Sequence, residues 1–206
     1  VVRDFVALTQ KVGFSPILLP FKPNGKAMHI KGFLARFSKT AKTQAEFLNR
    51  VAKLNVPLVG IDPAIVLSYR DEYKEALGDS RGDFHVLTAH EWLTNQLESN
   101  ALQSAVKNIA KSDCNFEWHL FPHCTESTFM PNSPKEWQNI FAQFGQTLSV
   151  EKVGCCGMAG VFGHEVQNQT MSNDIYDLTW GKKLQGKEPN HFLATGYFFR
   201  SHMKPQ

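Results

Sequence analysis

Residues 153–160 read Val153-Gly154-Cys155-Cys156-Gly157-Met158-Ala159-Gly160, and Gly157, just after the paired thiols, is the point from which the chain can be counted. Adjacent cysteines are poor disulfide partners: neighbouring Cα atoms sit about 3.8 Å apart, whereas an ordinary disulfide spans roughly 4.4 to 6.8 Å with a fixed dihedral. Aligning Gly157 with Gly25 brings two helix-ending glycines, Gly145 and Gly13, into register, each twelve residues upstream. Downstream, Ile65 follows Gly25 by forty residues and Phe199 follows Gly157 by forty-two, each closing a strand that comes after a long helical stretch. The count predicts two divergent tandem copies of one α/β unit of about 85 residues.

The expected boundaries are 1–113 for the first copy and 114–206 for the second. A strand in the second copy ends at Phe121-Pro122-His123-Cys124, thirty-three residues before Gly157, and its counterpart in the first copy falls before Val1. The first copy therefore reads as truncated. An abrupt start at Val1, with no methionine and no signal-peptide pattern, agrees with a segment cut from a longer polypeptide.

Within this frame, apolar runs and periodicity place the elements. Buried strands are expected at Ser15–Phe21, Val56–Ile61, Phe84–Leu87, Phe116–Phe121, Leu148–Val153 and His191–Tyr197. Helices are expected at Lys31–Leu54 with a break near Ser38-Lys39-Thr40, at Tyr69–Leu77, Ala89–Lys111, Ser133–Phe144 and His164–Lys183, with a turn over Gly78–Asp83. Short apolar strands alternating with helices predict α/β architecture with mainly parallel sheets flanked by helices. Arg70-Asp71-Glu72 reads as a solvated helix start.

Composition narrows the classes. A net charge of +3 with 20% charged residues is too mild for nucleic-acid binding, and no basic run supports it. No stretch reaches the roughly 18 consecutive apolar residues of a membrane span. Four unevenly spaced cysteines in 206 residues are far below disulfide-scaffold density and fit a reducing compartment. The expected location is the cytoplasm, with any membrane contact peripheral.

The loop Gly154 to Glu165, "GCCGMAGVFGHE", preceded by His123-Cys124 and followed by "ATGYFFRS" from Ala194 to Ser201, resembles the cysteine-rich CCG domain of iron–sulfur oxidoreductases. That domain recurs in heterodisulfide reductase, in glycolate oxidase iron–sulfur subunits, and at the C-terminal end of FAD-linked D-lactate or D-2-hydroxyglutarate dehydrogenase-like proteins. The last group is the nearest match, and "GIDPAIVLSYRDEY" from Gly60 to Tyr73 resembles its first copy. The resemblance implies cysteines converging from a strand end, the Cys-Cys-Gly loop and a late strand end on a metal or an iron–sulfur cluster. FAD is then expected in an N-terminal part. The implied partners are flavin and ferredoxin-like domains of the same polypeptide and an acceptor protein or quinone pathway.

Chemistry and resemblance select the same residues. Clusters and zinc sites need thiolates, and ligands gather at the C-terminal ends of parallel strands. Cys124, Cys155 and Cys156 occupy such ends, and Gly154, Gly157 and Gly160 would allow tight turns and close approach to a cofactor. Against the family pattern, the first copy has Pro23-Asn24 where a thiol pair is common, and Ile65 and Phe199 stand at the late-strand positions. Three thiolates cannot complete a four-cysteine cluster. His123 or His164 would make a Cys₃His set suited to zinc. Cys114 reads as a structural or free thiol, and thiol–disulfide exchange at Cys155-Cys156 is a weaker alternative. Two functions remain in view: an electron-transfer or acceptor-docking module of a flavin and iron–sulfur 2-hydroxy-acid dehydrogenase, or a degenerate structural or docking domain with a vestigial zinc or empty thiol site.

Overall fold

The structure, a computed structural model, describes residues 1–99, 101–108, 117–186 and 189–197. It is α/β, with two small parallel sheets flanked by helices. In the first half, α1 (Val2–Lys11), α2 (Lys26–Ile30) and α3 (Leu34–Ala52) precede β1 (Leu58–Gly60). Then come α4 (Pro63–Arg70), α5 (Glu72–Leu77), β2 (Val86–Thr88), α6 (Ala89–Glu98) and α7 (Gln103–Asn108). The second half holds β3 (Glu117–Phe121), α8 (Cys124–Phe129), α9 (Ser133–Gln143), β4 (Thr147–Val150), α10 (Gln169–Leu184) and β5 (Phe192–Ala194). Strands β1 and β2 pair in parallel, Leu58 against Val86. The other sheet has the order β4-β3-β5, also parallel, with Trp118 opposite Leu148 and Leu120 opposite Leu193.

Three apolar clusters hold these layers. Phe37, Ala41, Ala45 and Leu48 recur along one face of α3 and pack on Leu58, Val66, Tyr73, Phe84 and Val86, as a period of 3.6 residues requires of a half-buried helix. Phe121, Cys156, Met158 and Trp180 form the core of the second sheet. Between them, Val12, Trp92, Leu93, Leu102 and Ile140 join the halves through packing of α6 on α9.

The glycines of the count behave alike. Gly13 and Gly145 both adopt left-handed backbone, φ 96° and 71°, after helices whose last turns are closed by the same bonds, Gly13 N to Gln10 O and Gly145 N to Ala142 O. Gly25 and Gly157 do likewise, at 80° and 82°. At Gly157 a Cβ would lie 2.1 Å from the Ser172 carbonyl oxygen, so no side chain fits.

Several expected elements differ. Ser15–Phe21 forms no strand, and Ile17, Leu18, Leu19 and Phe21 are exposed rather than buried. Helix α3 runs unbroken through Ser38-Lys39-Thr40, because the buried Phe37 and Ala41 on either side carry the apolar stripe across it. The Tyr69–Leu77 region is two helices, separated at Asp71. Arg70 is not a solvated helix start: its guanidinium donates to both Glu91 oxygens and to the Val86 carbonyl. The Ala89–Lys111 stretch divides into α6 and α7, with residues 109–111 outside the described ones. Strands β1, β4 and β5 are shorter than expected, and two 3-10 turns, Phe162–His164 and Val166–Asn168, come before α10 begins. Cys114 and Phe199 lie outside the described residues. Among the described residues no helix is long and apolar enough to cross a membrane.

Candidate functional site

The strand-end turn after β3 delivers the first thiol. His123 caps α8: its Nδ1 accepts from the Thr125 backbone N–H at 3.1 Å, and its own N–H donates to Thr195 Oγ1 at 2.8 Å. The Nδ1 lone pair is therefore engaged, which assigns the ring proton to Nε2. Burial holds this imidazole below its ordinary range despite the pull of Asp62 and Glu126. Cys124 is the first residue of α8 and is exposed, its Sγ 3.9 Å from His123 Nδ1.

Beneath this turn lies Glu126, fully buried. Its Oε1 accepts from Ser133 Oγ and from Trp137 Nε1 at 3.1 Å, and its Oε2 accepts from Thr195 Oγ1. His90, from the first half, is equally buried, with Nδ1 3.5 Å from Glu126 Oε1 and Nε2 3.4 Å from Glu136. A buried carboxylate is tolerated only when its lone pairs are met this fully. The network ties the Cys124 turn to β5 through Thr195 and to the first half through His90.

The paired thiols Cys155 and Cys156 sit on a loop pinned by α10. Gly154 N–H donates to Thr179 Oγ1 at 3.1 Å, the Gly154 carbonyl accepts from Trp180 Nε1 at 3.0 Å, and the Gly157 carbonyl accepts from Ser172 Oγ at 3.0 Å. Cys155 is exposed and its sulfur accepts from the Gly157 N–H at 3.4 Å. Cys156 turns inward beside Phe121, Met158 and Trp180, and burial pushes its thiol up to about 12, with smaller contributions from Cys155 and Cys124. Of the three glycines, Gly157 and Gly160 require left-handed backbone, whereas a Cβ on Gly154 would meet Thr179 only at ordinary contact distance.

Residues of the first half close the other side. A Cβ on Gly160 would collide with Ile30 of α2, so the cysteine loop and α2 lie back to back, and Lys31 pairs with Glu165 across them. The Pro23-Asn24-Gly25 loop is held by Tyr73, whose hydroxyl donates to the Asn24 carbonyl at 2.7 Å, and Lys26 pairs with Glu72. Asp62 caps α4 through Ile65 N–H, and its other oxygen accepts from the Tyr197 N–H at 3.4 Å. Sequence reasoning passed over Glu126 and Thr195. Glu126, two residues after a candidate ligand, offered the one available hint.

The donor set can be tested against a metal. Cys124 and Cys155 are exposed, Cys156 is buried and protonated, and His123 spends its Nδ1 on a helix cap. His164 belongs to the 3-10 turn after the loop. Among the described residues no group of three or more His, Cys, Asp or Glu side chains is arranged to hold a metal ion. Thiolate ligation would also require Cys156 to ionise against its burial. As arranged, these side chains do not fit a zinc ion or a cluster.

Comparison with known proteins supplies the context. Over 204 residues the chain is 76% identical to D-2-hydroxyglutarate dehydrogenase of Haemophilus influenzae, covering 99% of this chain and 20% of that protein. The chain is similar to part of D-2-hydroxyglutarate dehydrogenases. The Escherichia coli D-2-hydroxyglutarate dehydrogenase is 54% identical over the same share of the chain and 19% of its own length. Against one component of the anaerobic glycerol-3-phosphate dehydrogenase of Escherichia coli, identity is 25% over 84% of this chain and 43% of that component. The chain thus spans about a fifth of the length of the hydroxyglutarate dehydrogenases it matches. No family model matches the sequence, and no solved structure matches it.

Proposed function

We propose that this chain is the C-terminal, cysteine-rich module of a flavin-dependent 2-hydroxy-acid dehydrogenase of the D-2-hydroxyglutarate type, and that it serves electron transfer or acceptor docking. The observation that carries the reading is the 76% and 54% identity, across 99% of the chain, to proteins of that name. Oxidising a 2-hydroxy acid to a 2-oxo acid releases two electrons and two protons. A flavin takes both, and they must then leave by another route. In this reading the flavin belongs to other domains of the same polypeptide, since the chain shows no dinucleotide glycine fingerprint after its first apolar run. Its own part is to present Cys124 and Cys155 at one face, braced by Glu126 below and α10 behind. An iron–sulfur cluster there would draw a further ligand from outside the described residues and require the buried thiol to turn outward. The reading places the protein in the cytoplasm, beside the inner membrane if a quinone is the final acceptor.

A second reading is favoured by one observation, the inward, protonated Cys156: a docking domain whose thiols hold zinc or no metal. Visible absorption with iron, sulfide and zinc analysis of the anaerobically purified full-length polypeptide separates the two. Iron, sulfide and visible absorbance that fall in Cys124→Ser and Cys155→Ser support the first reading; iron, sulfide and absorbance unchanged by either substitution support the second.

A further inference from the structure

We infer that residues 15–21 and the free edge of β1 flank a slot for one more parallel strand, supplied by the part of the longer polypeptide that precedes Val1. The inference rests on the reading of this chain as a segment of such a polypeptide, but not on any redox role.

The register of the two halves defines the slot. Counting back from the left-handed pairs Gly13/Gly145 and Gly25/Gly157, residues 15–18 stand where β4, 147–150, stands in the second half. There β4 pairs with β3, and β3 pairs on its other side with β5. Strand β1 begins thirty-three residues after Gly25 and β5 thirty-five after Gly157, so β1 holds the place of β5. In the first half nothing described holds the place of β3. Strand β3 ends at Phe121, twenty-six residues before Thr147, whereas fourteen residues precede Ser15.

Exposure agrees with a missing neighbour. Ile17 is 87% exposed and Phe21 93%, with Leu18 and Leu19 exposed between them, while Leu148 of β4 is buried. Leu54 and Val56, leading into β1, are exposed as well. No charged residue interrupts Ser15-Pro16-Ile17-Leu18-Leu19-Pro20-Phe21, although exposed edges are normally guarded by charge. Among the described backbone hydrogen bonds none involves residues 15–21, and β1 pairs with β2 alone.

The prolines then select the edge. Backbone N–H groups alternate sides along a strand, so Pro16 and Pro20 both lack donors on one edge, and an edge without donors faces solvent. The opposite edge carries the N–H groups of Ile17 and Leu19. In the second half the Glu151 N–H donates to the Leu120 carbonyl at 2.8 Å, and Glu151 is the counterpart of Leu19. The edge that keeps its donors is the one that faces β3 in the complete copy.

Peptide-resolved hydrogen–deuterium exchange on the full-length polypeptide tests the slot. The amides of Ile17 and Leu19 should exchange at least about tenfold more slowly than in the chain beginning at Val1. Leu19→Pro in the full-length protein should remove the protection at Ile17, whereas Leu18→Pro, on the proline edge, should not. Unprotected amides at Ile17 and Leu19 in the full-length protein would overturn the inference. So would protection that rises with concentration in the short chain, which would mark a second copy as the occupant. Either result leaves the absorption experiment above unaffected.

Discussion

At the scale of single residues, the two adjacent thiols are chemically opposite. Cys155 faces solvent, while Cys156 packs on Phe121 and Trp180 with its thiol pushed up to about 12 from an ordinary 9.0. Because thiolate is the reactive form, burial and protonation both protect Cys156. Iodoacetamide at pH 8 should label Cys124 and Cys155 first and Cys156 at least about a hundredfold more slowly. Site-resolved mass spectrometry reads the order, and equal labelling of Cys155 and Cys156 in the native protein would sink the assignment. The sequence marked these thiols and the need for glycine at 157. It could not show which thiol points inward, because that depends on Phe121 and Trp180 reaching the loop from other segments.

Elements were legible where one face of a helix carries a long apolar stripe, as in α3 and α9, and less so where a boundary depends on side-chain hydrogen bonds. The start of α6 is an exception, read at Ala89 and fixed there by side-chain hydrogen bonds. Thr88 Oγ1 accepts from the Glu91 N–H at 3.4 Å and the Thr88 N–H donates to Glu91 Oε2 at 2.8 Å, a reciprocal cap. Arg70 then clamps Glu91, with Nη1 3.0 Å from Oε1, and also donates to the Val86 carbonyl, joining α4, β2 and α6. Thr88→Ala should lower the unfolding free energy by about 1 kcal/mol, up to roughly 2, and Thr88→Ser should restore most of it. Urea denaturation of the three proteins measures this, and an unchanged midpoint for Thr88→Ala would show that Arg70 alone sets the helix start. The strand expected at Ser15–Phe21 was misplaced for a different reason. An apolar run states that a segment needs a partner, and among the described strands none pairs with this one.

At the scale of the whole molecule, the halves meet around two buried ionisable groups that sequence alone could not bring together, thirty-six residues apart on α6 and α8. His90 is 1% exposed and faces Glu126 from α8 and Glu136 from α9, with Glu91 and Arg70 nearby. Burial holds its imidazole below the ordinary 6.5, outweighing the upward pull of the three carboxylates, and Arg70 adds to the lowering. A base whose folded value is depressed stabilises the fold fully above its unfolded value. Below that, the unfolded chain takes up the proton first, and stability falls until the folded value is passed. The unfolding free energy should therefore decline as pH falls from about 6.5 toward 5. His85 and His123 are lowered in the same direction and share in the decline. Replacing His90 by glutamine keeps a polar group beside Glu126 but removes the titration. His90→Gln should therefore flatten the slope by up to about 1.4 kcal/mol per pH unit, even if the variant is less stable at pH 7.5. Urea unfolding of both proteins at pH 7.5, 6.5, 5.8 and 5.2 supplies the slopes. Parallel curves would mean that His90 takes up its proton as readily folded as unfolded, and that the contact between the halves is indifferent to acid.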